Sequence, residues 1–265
     1  MNAIEARDLA LATGRAAAVL LRDAAAAGRP QEIRHKGGLD TDWVTEWDTR
    51  SEAIIVEGLR AGAPGTRILG EEGGGDWGSQ VGGRWLVDPV DGTVNFTHGL
   101  PIYGVSIAYE EGGRVLAGVV LAPSLGWEFA AARGHGATMN GEPMSVSRVA
   151  HLRQALLTTG FPADRLTSPV NNYKQWEHFQ NVAGAVRRLG SASLDLCLVG
   201  RGWFDGYWEY KLKPWDLAAG SLIVEEAGGR VSGPDGQPFD VDAGEIVASN
   251  GRIHDQIIEE LRGLR

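Results

Sequence analysis

The sequence predicts a mixed α+β / α/β chain, on three observations. Two helical patterns open it, hairpin-linked strand patterns follow, and strand and helix patterns then alternate to the end. At 265 residues and 43% hydrophobic content, the chain suits one large domain or two tightly joined ones. The pattern changes near residue 150. The expected division is an α+β unit with an antiparallel sheet over 1–150 and an α/β unit over 151–265.

Taken in order, residues 2–27 form an Ala-rich helical pattern, ended near Gly28 and Pro30. A polar connection follows through His35, Lys36, Gly37 and Gly38. Thr45-x-x-Asp48 then has the form of a capping box, and Ile54, Ile55 and Leu59 mark a second helix that stops near Gly62 and Pro64. Asp48 therefore has a plain reading as a helix-start acid. RILG, 67–70, reads as a short strand running into Glu71 and Glu72, an adjacent pair that by itself suits a solvated loop. Residues 73–83, GGGDWGSQVGG, are expected to form a mobile flap or connection. They match no phosphate-cradling fingerprint, because the Lys and Ser/Thr of such a loop are missing.

From Tyr103 to Ala132 the pattern is β. Val105, Ile107, Val115, Val119, Val120 and Leu121 are strand formers, and Glu111-Gly112-Gly113-Arg114 is a hairpin turn. A third strand covers 127–131, and Asn140-Gly141 turns the chain again into MSVS. The first two helices are expected on one face of this sheet. Beyond residue 150 come a strand at 155–159, a helix at 171–188 and a helix at 191–199 opened by a Ser191 cap. A strand at 204–209, a helix at 214–227 stopped by Gly228-Gly229, strands at 229–232 and 246–249, and a closing helix at 253–264 complete the chain.

The stretch with most chemical content is 85–101, WLVDPVDGTVNFTHGLP. Trp85, Leu86 and Val87 read as a buried strand. It delivers Asp88, breaks at Pro89, delivers Asp91 and turns through Gly92 into Thr93. Pro89 fixes its own φ and removes a donor. Gly92 permits a backbone conformation or a close approach that a Cβ would block. A helical turn starting near Thr93 would aim free N–H groups at the same spot. Carboxylates beside such a helix start suit a divalent cation meeting a phosphate, although Asp, Pro and Gly also make ordinary turns. Pro214-Trp215-Asp216 is a second acidic anchor. Pro sits well at the first helical position, and Asp216 in the first turn suits the helix dipole.

The formal net charge of −9 disfavours a nucleic-acid-coating role and suits a protein that holds cations. The single Cys197 excludes an intrachain disulfide and, within LDLCLV, reads as an inert core thiol. No run approaches the ~20 apolar residues of a membrane span. Glu5, Arg7 and Asp8 interrupt the N-terminus too early for a signal peptide, so a soluble cytoplasmic protein is expected. None of the six histidines shows H-E-x-x-H or paired ligand spacing, which argues against zinc. Trp85 and Trp215 are expected to pack beside the acids they flank. Trp43, Trp47, Trp203 and Trp208 are expected in core or subunit contacts, and His98 in a structural role. Lys36 is left open between the acidic cluster and an ordinary loop. Arg187-Arg188 reads as a solvated or interfacial helix end.

Three motifs stand together: GEE at 70–72, DPVDGT at 88–93 and PWDLAAG at 214–220. In this order and spacing they resemble the inositol monophosphatase family of metal-dependent, lithium-sensitive phosphatases. The resemblance runs from the Lys36/Asp48 region to EEAGG at 225–229. It implies a layered α-β-α-β-α sandwich of the sugar-phosphatase type, usually as a homodimer. It implies two or three Mg²⁺ per site. Glu71, Asp88 and the Val90 carbonyl would hold the first ion, and Asp88, Asp91 and Asp216 the second. Glu72 and Asp48 would belong to the network around an outer metal or the attacking water, with Thr93 paired to Asp48. Gly92 and Thr93 would offer N–H groups to the phosphate. Gly190, Ser191, Ala192 and Glu209 would line the substrate alcohol, with Asp216 beside it. Residues 160–164 match no family position clearly.

Elementary chemistry agrees with that implication. Magnesium takes hard oxygen ligands in octahedral geometry. Several carboxylates in one pocket repel each other unless cations join them. The implied reaction is hydrolysis of a phosphate monoester, foremost myo-inositol 1-phosphate, by activated water without a covalent intermediate, with Glu71, Thr93, Asp48, Asp91 and Glu72 as the catalytic set. Two alternatives stand beside it. One is a relative acting on fructose 1,6-bisphosphate, histidinol phosphate or a 3′-phosphorylated nucleotide. The other is a regulatory protein that contacts transcription or translation machinery, with phosphatase activity secondary. The expected partner is a small phosphorylated polyol, with no nucleic acid and no membrane.

Overall fold

The computed structural model describes residues 1–30, 32–36, 39–73, 76–77 and 82–264, with 76–77 described in backbone alone. The first half contains α1 (Ala3–Ala27), β1 (Ile33–His35), β2 (Trp43–Thr45), α2 (Glu46–Gly62), β3 (Arg67–Gly70), β4 (Asp76–Trp77), β5 (Arg84–Asp91), α3 (Thr93–His98), β6 (Gly104–Glu111), β7 (Arg114–Ala122), β8 (Trp127–Ala132), β9 (Ala137–Met139) and β10 (Glu142–Pro143). The second half contains β11 (Leu156–Thr159), α4 (Tyr173–Val182), β12 (Ala185–Arg187), α5 (Ala192–Gly200), β13 (Gly206–Tyr210), α6 (Pro214–Glu226), β14 (Arg230–Ser232), β15 (Glu245–Ser249) and α7 (His254–Arg262).

The helices begin where their sequences say they should. Asn2 caps α1 and exchanges backbone and side-chain bonds with Glu5. Ala6, Ala10, Ala17, Leu21 and Ala24 then recur at helical spacing and are buried. Thr45 caps α2, and the Thr45–Asp48 capping box is made.

β10-β9-β8-β7-β6-β5-β3-β4 form one sheet, and β12-β11-β13-β15-β14 a second. α1 and α2 cover the outer face of the large sheet. α5 and α6 fill the space between the sheets, and α4 and α7 cover the outer face of the small one. This is the layered α-β-α-β-α sandwich. None of the described helices is long and apolar enough to cross a membrane.

Several expectations need correction. The large sheet is mixed, because β3 pairs with β5 in parallel. β5 does not break at Pro89 but runs on to Asp91 through a register shift between Asp88 and Asp91. A bulge of this kind needs no ladder N–H from Pro89. The strand expected beyond Asn140-Gly141 is confined to Glu142–Pro143, which pairs with β9. The helix expected over 171–188 ends at Val182, and Ala185–Arg187 become an edge strand parallel to β11. Of the expected flap, Asp76–Trp77 pair with β3. Residues 74–75 and 78–81 lie outside the described residues.

Candidate active site

The parallel pairing of β3 with β5 brings their C-terminal ends side by side. Glu71 and Glu72 follow β3 beside Asp88 and Asp91 in the second half of β5. The bulge then turns the chain: Ser51 Oγ donates to Pro89 O at 2.9 Å, and Val90 N–H donates to Asp88 Oδ1 at 3.0 Å. Gly92 follows with φ +92°, and a Cβ there would stand 3.0 Å from the Ile102 carbonyl. Only glycine meets both demands without strain. α3 begins at once, with Phe96 N–H on Gly92 O at 3.0 Å.

A cavity of about 210 Å³ opens above this turn. Its lining includes Glu71, Asp88, Val90, Asp91, Gly92 and Thr93 from the first half, and Gly190, Ser191, Ala192, Glu209 and Asp216 from the second. Eleven of the thirteen site residues named from sequence therefore meet at one cavity, which spacing alone could not show. The other two, Asp48 and Glu72, stand behind it.

The acids repel one another. Burial raises the Asp88 pKa well above its usual range, and Glu71, Asp91 and Asp216 add to it. Asp216 is likewise pushed up by burial, then by Glu71 and Asp91. Burial also raises the Glu71 pKa, against the pull of Lys36. Lys36 adds positive charge. Its Nζ lies 2.7 Å from Glu71 Oε1 and 2.5 Å from Glu72 Oε1. Burial opposes the Lys36 charge, but the two glutamates outweigh it and raise its pKa. Glu72 is itself raised to about 7, chiefly by burial. The open question over Lys36 is thus answered: it belongs to the acidic cluster.

Each acid also has a protein donor. Asp216 Oδ2 accepts the Lys213 N–H at 2.7 Å. Asp91 accepts Ser191 Oγ at 2.7 Å, Ser193 N–H at 2.7 Å and Ala192 N–H at 3.2 Å. Ser191 therefore does not cap α5 with its own side chain; Asp91 does so from the other sheet. Asp48 holds Thr45 through its N–H at 2.8 Å and its Oγ1 at 2.6 Å, and accepts Thr93 Oγ1 at 2.9 Å. Thr93 Oγ1 is also 3.0 Å from the Val90 carbonyl. Burial raises the Asp48 pKa against these bonds.

Among the described residues no three carboxylate, imidazole or thiolate groups are drawn together at ligating distances. The donor set still fits a hard divalent cation: four carboxylates and a carbonyl, without sulfur or imidazole, bearing mutual repulsion that a cation would relieve.

At the other end of the cavity, Glu209 accepts the Tyr207 hydroxyl at 2.6 Å, and burial raises its pKa to about 7. A Cβ on Gly160 would fall 2.1 Å from the Glu209 carboxylate, so any larger residue there would displace that carboxylate. Sequence reasoning missed Thr41, Asp42, Trp43, Ala163, Arg188 and Leu212, which also line the cavity. Trp43 was expected in core or subunit contacts instead. Only the fold brings its short hairpin to the cavity, so no local signal marked it. Trp85 and Trp208 are fully buried, as expected of packing residues. Cys197 is buried, with its pKa pushed well up by burial, as an inert core thiol should be.

The model of the inositol monophosphatase family matches residues 3–265. The chain belongs to this family. Its relatives include the inositol-1-monophosphatase of Synechocystis sp., 43% identical over 239 residues that cover 88% of this chain and 81% of that one. The Nus factor SuhB of Pseudomonas aeruginosa is 43% identical over 227 residues, covering 83% of each. The solved inositol monophosphatase of Anabaena (Nostoc) sp. superposes with a TM-score of 0.88 at 37% identity, covering 98% of this chain and 96% of that one. The inositol monophosphatase family is one of metal-dependent phosphatases, and the acidic floor and small polar cavity are the features that such chemistry requires.

Proposed function

We propose that the protein hydrolyses a phosphate monoester in the presence of Mg²⁺, with myo-inositol 1-phosphate as the leading substrate. The observation that carries this reading is the meeting of Glu71, Asp88, Asp91 and Asp216 at one cavity, with the Thr93–Asp48 bond beside them. Glu71, Asp88, the Val90 carbonyl, Asp91 and Asp216 would hold the ions. Bound Mg²⁺ would neutralise phosphate charge and make a coordinated water acidic.

The remaining steps fall to the protein's own groups. Thr93 Oγ1 is held between Asp48 Oδ1 and the Val90 carbonyl, so a proton taken by the threonine hydroxyl from an attacking water passes to Asp48. The raised Asp48 pKa suits a proton acceptor. Gly92 and Thr93, at the start of α3, would meet the phosphate. Glu209 would accept polyol hydroxyls, and its acidity disfavours a second phosphate at the same point. Lithium inhibition and a cytoplasmic homodimer are expected with this reading.

The test is a panel of myo-inositol 1-phosphate, fructose 1,6-bisphosphate, histidinol phosphate and a 3′-phosphorylated nucleotide, each with and without Mg²⁺ and Li⁺. The reading requires the highest kcat/KM for inositol 1-phosphate, dependent on Mg²⁺ and suppressed by Li⁺. Turnover of none of them would remove it. Stable capture of transcription or translation components by an inactive variant, with negligible turnover, would favour the regulatory alternative.

A further inference from the structure

Trp43 stands at the cavity, and three neighbours hold its ring. The indole N–H donates to the Asp40 carbonyl at 2.6 Å. His98 stacks on it with ring centroids 5.3 Å apart and planes 27° apart. His35, its partner across β1 and β2, meets it edge-on at 6.0 Å. His98 is anchored in turn, with Nδ1 2.8 Å from the Val94 carbonyl. Beside Trp43, Thr41 Oγ1 donates to the Ala163 carbonyl and joins two loops that both line the cavity.

A ring gripped in this way loses little freedom when a ligand arrives. His98 covers one face and Asp40 takes the indole N–H, yet the ring still lines the cavity. The same cavity is lined by two carboxylates beyond the proposed metal-binding acids, Asp42 and Glu209. An aromatic wall with carboxylate acceptors suits a molecule with an apolar face and a hydroxylated rim. A saturated ring bearing several hydroxyls is such a molecule. A linear polyol has the hydroxyls but no rigid apolar face.

We infer that Trp43 is a specificity-determining residue that packs on the C–H face of a cyclic polyol or sugar ring in the leaving alcohol. This rests on the phosphatase reading above and adds a residue that selects the alcohol at the same site.

The experiment compares the wild type with W43L and W43F. It measures kcat and KM for myo-inositol 1-phosphate, linear glycerol 2-phosphate and a nucleoside 2′-monophosphate. Saturation-transfer NMR of free myo-inositol gives a reading independent of turnover. The ratio of kcat/KM for the inositol ester to that for the glycerol ester is expected to fall roughly tenfold in W43L, through KM, and to recover in W43F. The saturation transfer to the inositol ring protons should weaken in parallel. A ratio within about twofold of wild type in W43L would overturn the inference. So would a greater loss for the nucleotide than for the inositol ester, which would make the wall a base platform. Should the wild type hydrolyse no ester, the phosphatase reading fails, while the inositol NMR signal in W43L still decides the role of Trp43. Retention of W43F activity separates a missing ring from a damaged fold.

Discussion

The Asp91 carboxylate accepts the N–H of Ser193 at 2.7 Å, across 102 positions of chain. With Ser191 and Ala192 as further donors, it caps α5 from the end of β5. An acid at a helix N-terminus gains from the dipole and from the unpaired N–H groups there. The same acid is a proposed metal ligand, so stability and activity meet at one side chain. Asp91→Asn should remove phosphate release at every Mg²⁺ concentration. It should also cost about 1–3 kcal/mol in denaturant unfolding, because an amide cannot satisfy all of these donors. Normal turnover of inositol 1-phosphate by this variant would defeat the two-ion assignment.

Ser193→Ala separates the two functions of Asp91. It removes a hydroxyl donor but leaves the backbone N–H and the carboxylate. A loss of about 1 kcal/mol of stability is expected with measurable turnover retained. Urea unfolding and a phosphate-release assay on the same preparation check it.

Thr93 and Asp48 should act on the rate rather than on metal affinity. Thr93→Val breaks the bond to Asp48 at 2.9 Å and should lower kcat by roughly 10²–10⁴, with Thr93→Ser restoring much of it. Calorimetric Mg²⁺ titration should show nearly unchanged affinity in both variants. A large loss of Mg²⁺ affinity in Thr93→Val would make Thr93 part of the metal site instead.

Glu209 gives a pH dependence of known sign. Its folded pKa of about 7 lies above the usual glutamate value because it is buried. Its stabilising share is therefore complete below about 4.5 and lost as pH rises through 7. Glu209→Gln should be more stable than the wild type at pH 8, on the order of 3 kcal/mol, with little difference at pH 4.5. The KM for a polyol phosphate should rise in this variant, since an amide accepts fewer hydroxyls. Melting curves at the two pH values check the first claim and steady-state kinetics the second.

His254 titrates in the opposite sense. It is fully buried between Ser232 Oγ at 2.8 Å and Ser249 Oγ at 2.9 Å, and burial lowers its pKa to about 4. Ser232 donates its own proton to the Gly233 carbonyl, so it accepts from His254 Nε2–H, and Ser249 donates to Nδ1. The neutral ring satisfies both serines. Its contribution is complete above about 6.5 and lost as pH falls toward 4, on the order of 2 kcal/mol after allowance for solvent screening. Unfolding curves for wild type and His254→Asn should therefore converge as pH drops from 7 to 4.

Most of the element order was legible in the sequence because it rests on local chemistry, whereas the acidic set was drawn together by the resemblance of its three motifs. Capping residues, hairpin glycines and carboxylates just past strands each act within a few positions. What escaped depends on contacts between distant segments. Residues 183–187 continue an apolar helical pattern, yet a Cβ on Gly184 would stand 2.9 Å from the Ala155 carbonyl, and this close approach lets Ala185–Arg187 join the sheet. Pro89 looked like a strand breaker, but at a bulge its missing N–H costs nothing. The capping of α5 by Asp91 and the position of Trp43 at the cavity exist only once the two sheets are assembled.

The most direct test is an anomalous difference map from a crystal of the protein soaked in Mn²⁺, refined beside a Mg²⁺-soaked one. The account predicts peaks in the cavity whose ligands come from Glu71, Asp88, the Val90 carbonyl, Asp91 and Asp216, at about 2.1 Å in the Mg²⁺ crystal. A cavity without a peak at saturating metal, or a peak that Asp216 does not touch, would contradict it.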